Sequence, residues 1–174
     1  MAKNKVHSEF MTWYEPIHEG FLRYCSVRSF GVMETEDVVQ ESVLVALQNF
    51  DKIRDKKALL AYLMRTASNL IGAKARRAKF SSPKDIDGLA HLHAHVPDPA
   101  LALDIAELYK ALNTLDTKQR EAVIMFEISG FSMKEIAELQ ESSEGAVKVR
   151  IHRGREKLKK LLTEKEKLVD LEMM

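Results

Sequence analysis

Apolar residues along this chain recur at helical spacing in two blocks, separated by a stretch in which the pattern stops. In residues 36–50, Val39, Val43, Ala46, Leu47 and Phe50 share one helical face. Asp37, Gln40, Glu41, Leu44 and Gln48 share the opposite one. Residues 58–77 repeat the arrangement with an inward stripe of Leu59, Leu63, Thr66 and Leu70, while Tyr62, Arg65, Asn69 and Arg76 line a neighbouring face. Upstream, residues 10–30 carry apolar groups at irregular spacing, and no breaker separates Gly20 from Gly31. Thr35 is placed to cap the helix that follows, with Glu36 and Asp37 complementing its dipole in the first turn.

From residue 80 to residue 100 the periodicity is lost. Ser81-Ser-Pro, Asp87-Gly and Pro97-Asp-Pro read as a flexible linker in which acids outnumber bases. Helical spacing resumes in residues 101–115 with Leu101, Ile105, Leu108, Leu112 and Leu115. Asp116 caps the next helix, with Gln119 in the reciprocal position, and that helix runs to Gly130. Ser132-Met-Lys-Glu135 is a capping box that opens a short helix containing Ile136, Ala137 and Leu139. A four-residue turn, 141–144, leads into a long last helix with an inward stripe of Val147, Ile151, Gly154, Leu158 and Leu161. The expected fold class is all-α, two small helical domains: residues 8–79 and 101–165, joined by residues 80–100.

Composition adds limits. At 174 residues the chain fits one medium domain or two small ones, and an apolar fraction of 45% suffices for folded cores. A net charge of +1 excludes little, because a basic face can be balanced by acids elsewhere. Cys25 is the single cysteine, so no intramolecular disulfide can form and a reducing cytoplasm fits; its expected role is that of a small buried hydrophobe. No apolar run approaches the roughly 18 residues of a membrane span, and residues 1–10 lack the apolar core of a signal peptide. The expected location is the cytoplasm, without membrane insertion.

Three constellations carry candidate chemistry. The short capped helix, tight turn and long helix of residues 132–162 form a helix-turn-helix, whose second helix suits a major groove. Basic residues crowd that helix: Lys148, Arg150, Arg153, Arg155, Lys157, Lys159 and Lys160, with His152 among them. Phosphates call for such cations. Ser143, Glu144, Ala146, Lys148, Val149 and Arg150 lie early enough to meet base edges, Val149 as a partner for a thymine methyl. The second constellation is basic and aromatic: Tyr62, Arg65, Asn69, Lys74, Arg76, Arg77 and Lys79, which suits single-stranded DNA. The third is the polar face of Asp37, Gln40, Glu41 and Gln48. It has two carboxylates one turn apart but no histidine or third carboxylate, so it reads as a docking face rather than a catalytic one. His91, His93 and His95 alternate in the linker with no fourth ligand indicated, so neither a metal nor another cofactor is expected.

The motif Glu36-Asp-Val-Val-Gln-Glu41, followed by Tyr62-Leu-Met-Arg-Thr-Ala-Ser-Asn69 and Arg76-Arg77, resembles region 2 of the extracytoplasmic-function (ECF) sigma factors. Gln119-Arg120-Glu121, Gly130-Phe-Ser, Glu135-Ile-Ala137 and Gly145-Ala-Val-Lys-Val-Arg-Ile-His-Arg-Gly-Arg155 resemble region 4. The resemblance covers nearly the whole chain in the family's order. It implies a region 2 helical bundle and a region 4 helix-turn-helix. It further implies that Asp37, Gln40, Glu41 and Gln48 dock on core RNA polymerase. Phe50, Lys52, Arg54, Lys57, Tyr62, Arg65, Asn69, Arg76 and Arg77 would take single-stranded bases of a promoter −10 element. Ser143, Glu144, Ala146, Lys148, Val149, Arg150, His152, Arg153 and Arg155 would read a duplex −35 element. Such a subunit catalyses nothing itself and is held inactive by an anti-sigma factor until a signal arrives. The chain departs from the family where Tyr62 replaces a usual tryptophan and Leu115-Asp-Thr a usual Leu-Pro. Gln140, Glu141 and Ser142 replace a leucine, a glycine and an apolar residue in the turn.

Two other classes compete. A regulator with the same helix-turn-helix would bind duplex DNA tightly and ignore core polymerase. A metal-dependent enzyme built on the histidines would carry stoichiometric metal.

Overall fold

The computed structural model describes residues 2–80, 96 and 98–172. The histidine alternation at 91–95 and most of the expected linker lie outside the described residues. The chain divides into two compact units, Met1–Gly88 and Leu89–Met174. The described elements are helices and turns, in keeping with an all-α class.

In the first unit, α1 (Ala2–Ser29), α2 (Thr35–Gln48) and α3 (Lys56–Phe80) pack pairwise on one another, with a single 3₁₀ turn at Phe50–Lys52 between the last two. Phe10, Phe21, Tyr24 and Cys25 of α1 meet Val38 and Ala46 of α2 and Leu59, Leu63 and Ala67 of α3, all essentially inaccessible to water. The α1 spacing is therefore regular after all. Phe10, Tyr14, Phe21 and Tyr24 fall on one stripe, with half-buried Ile17 at its middle, which Met11 and Trp13 alongside obscure when the string is read alone. The helix also begins well before residue 10 and continues through Pro16.

Two local expectations are corrected. Thr35 does not cap α2: Glu34 occupies the cap with extended backbone, and Thr35 is buried one residue inside the helix. Its hydroxyl shares a 3.0 Å hydrogen bond with Ser29 Oγ, which closes the turn through Gly31 at φ 71°. The inward stripe of α3 also shifts. Leu59 and Leu63 are buried as expected, but Leu60, Met64, Ala67 and Ile71 complete the face, and Thr66 and Leu70 are only half-buried. Asp55 opens α3 by accepting the Ala58 amide at 2.8 Å.

The second unit contains α4 (Pro99–Leu112), α5 (Thr117–Val123), a widened π turn at Ile124–Ile128, α6 (Met133–Leu139) and α7 (Glu144–Glu172). Asp98 caps α4 and Pro99 opens it, so the helix starts two residues before the expected boundary at 101. Its buried face is Ala102, Ala106 and Leu112; Leu101 of the expected stripe stands half in solvent. Asp116 accepts the Gln119 amide at 3.0 Å as expected, but the Gln119 side chain takes Lys157 Nζ instead of reciprocating. The Ser132–Glu135 capping box is complete in both directions. Gly130, at φ 79°, lets the Phe131 amide reach back to the Met125 carbonyl and end the π turn.

The seam between α5 and α7 sets the geometry of the unit. Val147, Ile151, Gly154 and Leu158 face inward, whereas Leu161, placed on that stripe by the sequence, is largely exposed. Gly154 is there because of close approach: a Cβ at this position would sit 2.6 Å from Val123 Cγ2. The turn between α6 and α7 is a Schellman arrangement. The Ser142 amide bonds the Ala137 carbonyl at 2.9 Å, and Glu141 occupies the left-handed position at φ 49°. Glycine usually fills that position, since a Cβ there costs roughly 1 kcal/mol.

This packing makes two substitutions informative. Gly154→Ala destabilises the unit by about 1–3 kcal/mol despite alanine's better helix propensity, because Val123 is a buried branched side chain that cannot swing aside. Glu141→Gly does the reverse and raises stability by about 1 kcal/mol. Urea unfolding followed by circular dichroism reads both. Burial also pushes the Cys25 thiol up to about 12 and the Tyr14 hydroxyl up to about 12, through loss of hydration of the charged form. Both groups bind protons more tightly when folded, so their contribution is intact below pH 9 and is lost as pH rises from about 9 towards 12. Trp13 is the chain's single tryptophan, and its fluorescence reports the loss in the first unit. In the native protein at pH 8, Cys25 resists alkylation.

Candidate nucleic-acid interface

The face of α7 left over after packing is defined by subtraction. With Val147, Ile151, Gly154 and Leu158 inward, the outward positions are Gly145, Lys148, Val149, His152, Arg153 and Lys160, all exposed, with Glu156 among them. Val149 is an aliphatic side chain open to solvent on a charged face. Lys148, His152 and Arg153 have no protein partner among the described residues, so these side chains are available to a ligand.

The remaining residues expected on this face are employed within the protein to different degrees. Ser143 is exposed, but its hydroxyl caps α7 by accepting the Ala146 amide at 3.1 Å. Glu144 is exposed in the first turn and Ala146 is half-buried. Arg150 is half-buried on the flank towards α6 and donates through Nη1 to Gln140 Oε1 at 2.7 Å. Arg155 is the clear departure. It is ion-paired to Glu127 of the π turn and lies 5.8 Å over the Phe126 ring, so it fastens that turn to α7 rather than offering a free cation. The π turn that makes this contact carries no signal in the apolar spacing.

In the first unit the expected single-strand surface is partly assembled. Arg65, Asn69, Arg76 and Arg77 are exposed along α3, and Tyr62 is half-buried beside them. Lys57 falls in the first turn of α3. Arg54 is exposed in the preceding loop, as is Lys52, which donates to the Asn49 side chain at 3.0 Å. Phe50 does not belong to this surface. Its ring is buried edge-on against Phe10 at 5.4 Å and Trp13 at 4.8 Å, where it anchors the loop to α1. Apolar spacing puts Phe50 on the inward stripe of α2, and the family resemblance puts it in the single-strand surface; only the inward placement holds.

On α2, Asp37, Gln40, Glu41 and Gln48 are all exposed on one face, with Leu44 exposed in their midst. Asp37, Gln40 and Glu41 border an open groove that Met33, Leu70 and Ala73 also line and whose far wall is Lys74 and Arg77 of α3. Sequence patterning assigns the two walls to separate constellations; the packing of α2 on α3 joins them. Among the described residues no cluster of histidine, cysteine or carboxylate side chains could hold a metal ion, and no helix is long and apolar enough to cross a membrane.

A capped helix, a tight turn and a second helix with a cationic outer face define a helix-turn-helix DNA-binding unit. The sigma-70 region 4 family model matches residues 105–158, which span it. The ECF RNA polymerase sigma factor EcfG of Rhodopseudomonas palustris (strain TIE-1) is 33% identical over 144 residues, covering 79% of this chain and 79% of its own. SigW of Bacillus subtilis (strain 168) is 32% identical over 144 residues, covering 76% and 77%. A solved structure of CnrH in complex with the cytosolic domain of CnrY superposes with a TM-score of 0.63 at 25% identity, over 91% of this chain and 90% of that one. RpoE in complex with the anti-sigma factor NepR from Bartonella quintana shares the fold, with a TM-score of 0.63 at 21% identity over 89% and 97% of the two chains. The chain belongs to the ECF RNA polymerase sigma factor family, whose members direct promoter-specific transcription initiation.

The different engagement of two neighbouring arginines gives a direct test. Arg153→Ala lowers the slope of log affinity against log salt for duplex DNA by about one unit, the signature of one lost phosphate contact. Arg155→Ala leaves that slope nearly unchanged and instead lowers the stability of the second unit. The cost is about 1 kcal/mol or less, because the pair with Glu127 is partly solvated.

Proposed function

We propose that three exposed surfaces divide the work of promoter recognition in this sigma factor. The α2 face of Asp37, Gln40, Glu41 and Gln48, with Leu44 at its centre, docks on core RNA polymerase. The loop with Lys52 and Arg54, together with Lys57 in the first turn of α3 and the α3 stripe of Tyr62, Arg65, Asn69, Arg76 and Arg77, holds single-stranded bases and phosphates of the −10 element. Stacking on an aromatic ring is worth about 1–3 kcal/mol per base, and Tyr62 offers one such ring. The exposed turn and outer face of α7, with Ser143, Glu144, Ala146, Lys148, Val149, Arg150, His152 and Arg153, read the −35 duplex.

The observation that carries this reading is the segregation of chemistry by helix face. Helices α2, α3 and α7 each spend an apolar stripe on their own unit's core and present an opposite side that is mainly acidic-polar on α2 and mainly basic on α3 and α7. The residues so presented sit in motifs that resemble the family's in order and spacing. Phosphate contacts supply most of the affinity and base-edge contacts the choice of sequence.

Sigma factors are regulatory subunits, and we read this chain as performing no reaction of its own: it binds, positions and favours strand separation while polymerase makes RNA. Its place of action is the cytoplasm, at the nucleoid when active. CnrH and RpoE were solved in complex with CnrY and the anti-sigma factor NepR respectively. That supports an anti-sigma protein as a regulatory partner here.

Purified chain added to core enzyme is expected to yield transcripts from a defined subset of a promoter library. Transcription indistinguishable from core enzyme alone would sink the reading, and tight duplex binding without retention of the chain by core enzyme in a pull-down would favour a polymerase-independent regulator.

A further inference from the structure

We infer that Gln140 is a specificity-determining positioning residue that presents Arg150 to a base pair; this rests on the reading of α7 as the −35 reader. Gln140 ends α6, and its side chain bridges two helices. Its Nε2 donates to the Lys118 main-chain carbonyl of α5 at 3.1 Å. Its Oε1 accepts from Arg150 Nη1 of α7 at 2.7 Å.

The two bonds order one another. A carbonyl can only accept, so the amide nitrogen of Gln140 must face Lys118 and its oxygen must face the guanidinium. A guanidinium can only donate, and it meets that oxygen. The orientation of the amide is thus set by a main-chain atom of a third helix. The position of Gln140 is set by backbone bonds as well: its amide reaches the Ile136 carbonyl at 2.9 Å, and the Schellman turn through Glu141 follows at once.

The consequence falls on Arg150. An arginine on an open helix face samples many rotamers and loses that freedom on binding a base. Here one nitrogen is fixed by Gln140, and the side chain is half-buried on the flank of α7 facing α6. The Nε and Nη2 edge has no protein partner among the described residues. That edge is the two-donor fork that fits the O6 and N7 acceptors of guanine. By contrast Arg153, one turn on, has no such tether and suits a phosphate. A leucine at position 140, usual in the resembled family, could make neither bond.

The test is a double-mutant cycle with the full-length chain bound to core enzyme, read on a promoter library randomised through the −35 element. Arg150→Ala should abolish preference at one base pair. Gln140→Leu should reduce preference at that same pair about tenfold, the scale of a bidentate base contact. Preferences at the other pairs and the salt slope should be unchanged. In the Arg150→Ala background Gln140→Leu should have no further effect on preference, which separates positioning from general loosening of the turn. Unfolding curves of each variant are taken alongside; Gln140→Met provides a second apolar replacement with a flexible chain. If Arg150→Ala alters no base preference, the −35 reading of Arg150 fails and the inference with it. If Arg150→Ala erases a preference that both Gln140 variants keep, only the positioning role of Gln140 is overturned. An equal effect of Gln140→Leu with and without Arg150 also overturns it.

Discussion

The close seam between α5 and α7 is the constraint on which the second unit depends. A recognition helix is useful only if its rotation about its own axis is fixed, because a turn of one residue would replace Val149 and Arg153 on the outer face by different side chains. Val147, Ile151 and Leu158 supply apolar area, but area alone does not select a rotation. Gly154 does. With Val123 Cγ2 occupying the space where any side chain would begin, α5 and α7 can approach this closely along one line only. The Arg155 contacts to Glu127 and Phe126 then lock the same rotation from the edge of the helix. The packing that stabilises the unit thus also fixes which side chains α7 turns to solvent.

The first unit solves a related problem with aromatic rings. The loop between α2 and α3 is exposed yet held in place. Phe50 provides the hold. It buries its ring against Phe10 and Trp13, so the flanking Lys52 and Arg54 stay in solvent on a short segment whose other end is capped by Asp55. An exposed ring at position 50 would lose the anchor. Burial of the ring orders that loop before any ligand arrives, so binding need not supply the same order again.

What can be read from the sequence follows from which signals are periodic. Faces are periodic, so Asp37, Gln40, Glu41 and Gln48 group together from spacing alone, as do the inward Val147, Ile151 and Leu158. Capping is local and has its own chemistry, so the Ser132–Glu135 box and the Asp116 cap are legible residue by residue. Three things are not. Apolar stripes do not reveal where along a helix the core ends, which is why Leu101 and Leu161 read as inward and are exposed. Pairings between distant segments, such as Arg155 with Glu127 or Gln140 with the Lys118 carbonyl, depend on tertiary approach that spacing does not encode. The π turn at Ile124–Ile128 adds one residue to a helical turn, and a pattern read at 3.6 residues per turn passes over it.

Net charge is the property that says least about this molecule, and the reason is screening. Charges separated by more than about 8–10 Å in physiological salt hardly sense one another, so a total near zero describes no surface that a ligand meets. Locally the contrast is steep. On α7 free cations line one face, while in the first unit two acids of α2 face two bases of α3 across a groove. The groove therefore presents opposite signs on its two walls. A nearly neutral chain thus carries opposite charge on two adjacent helices of one unit.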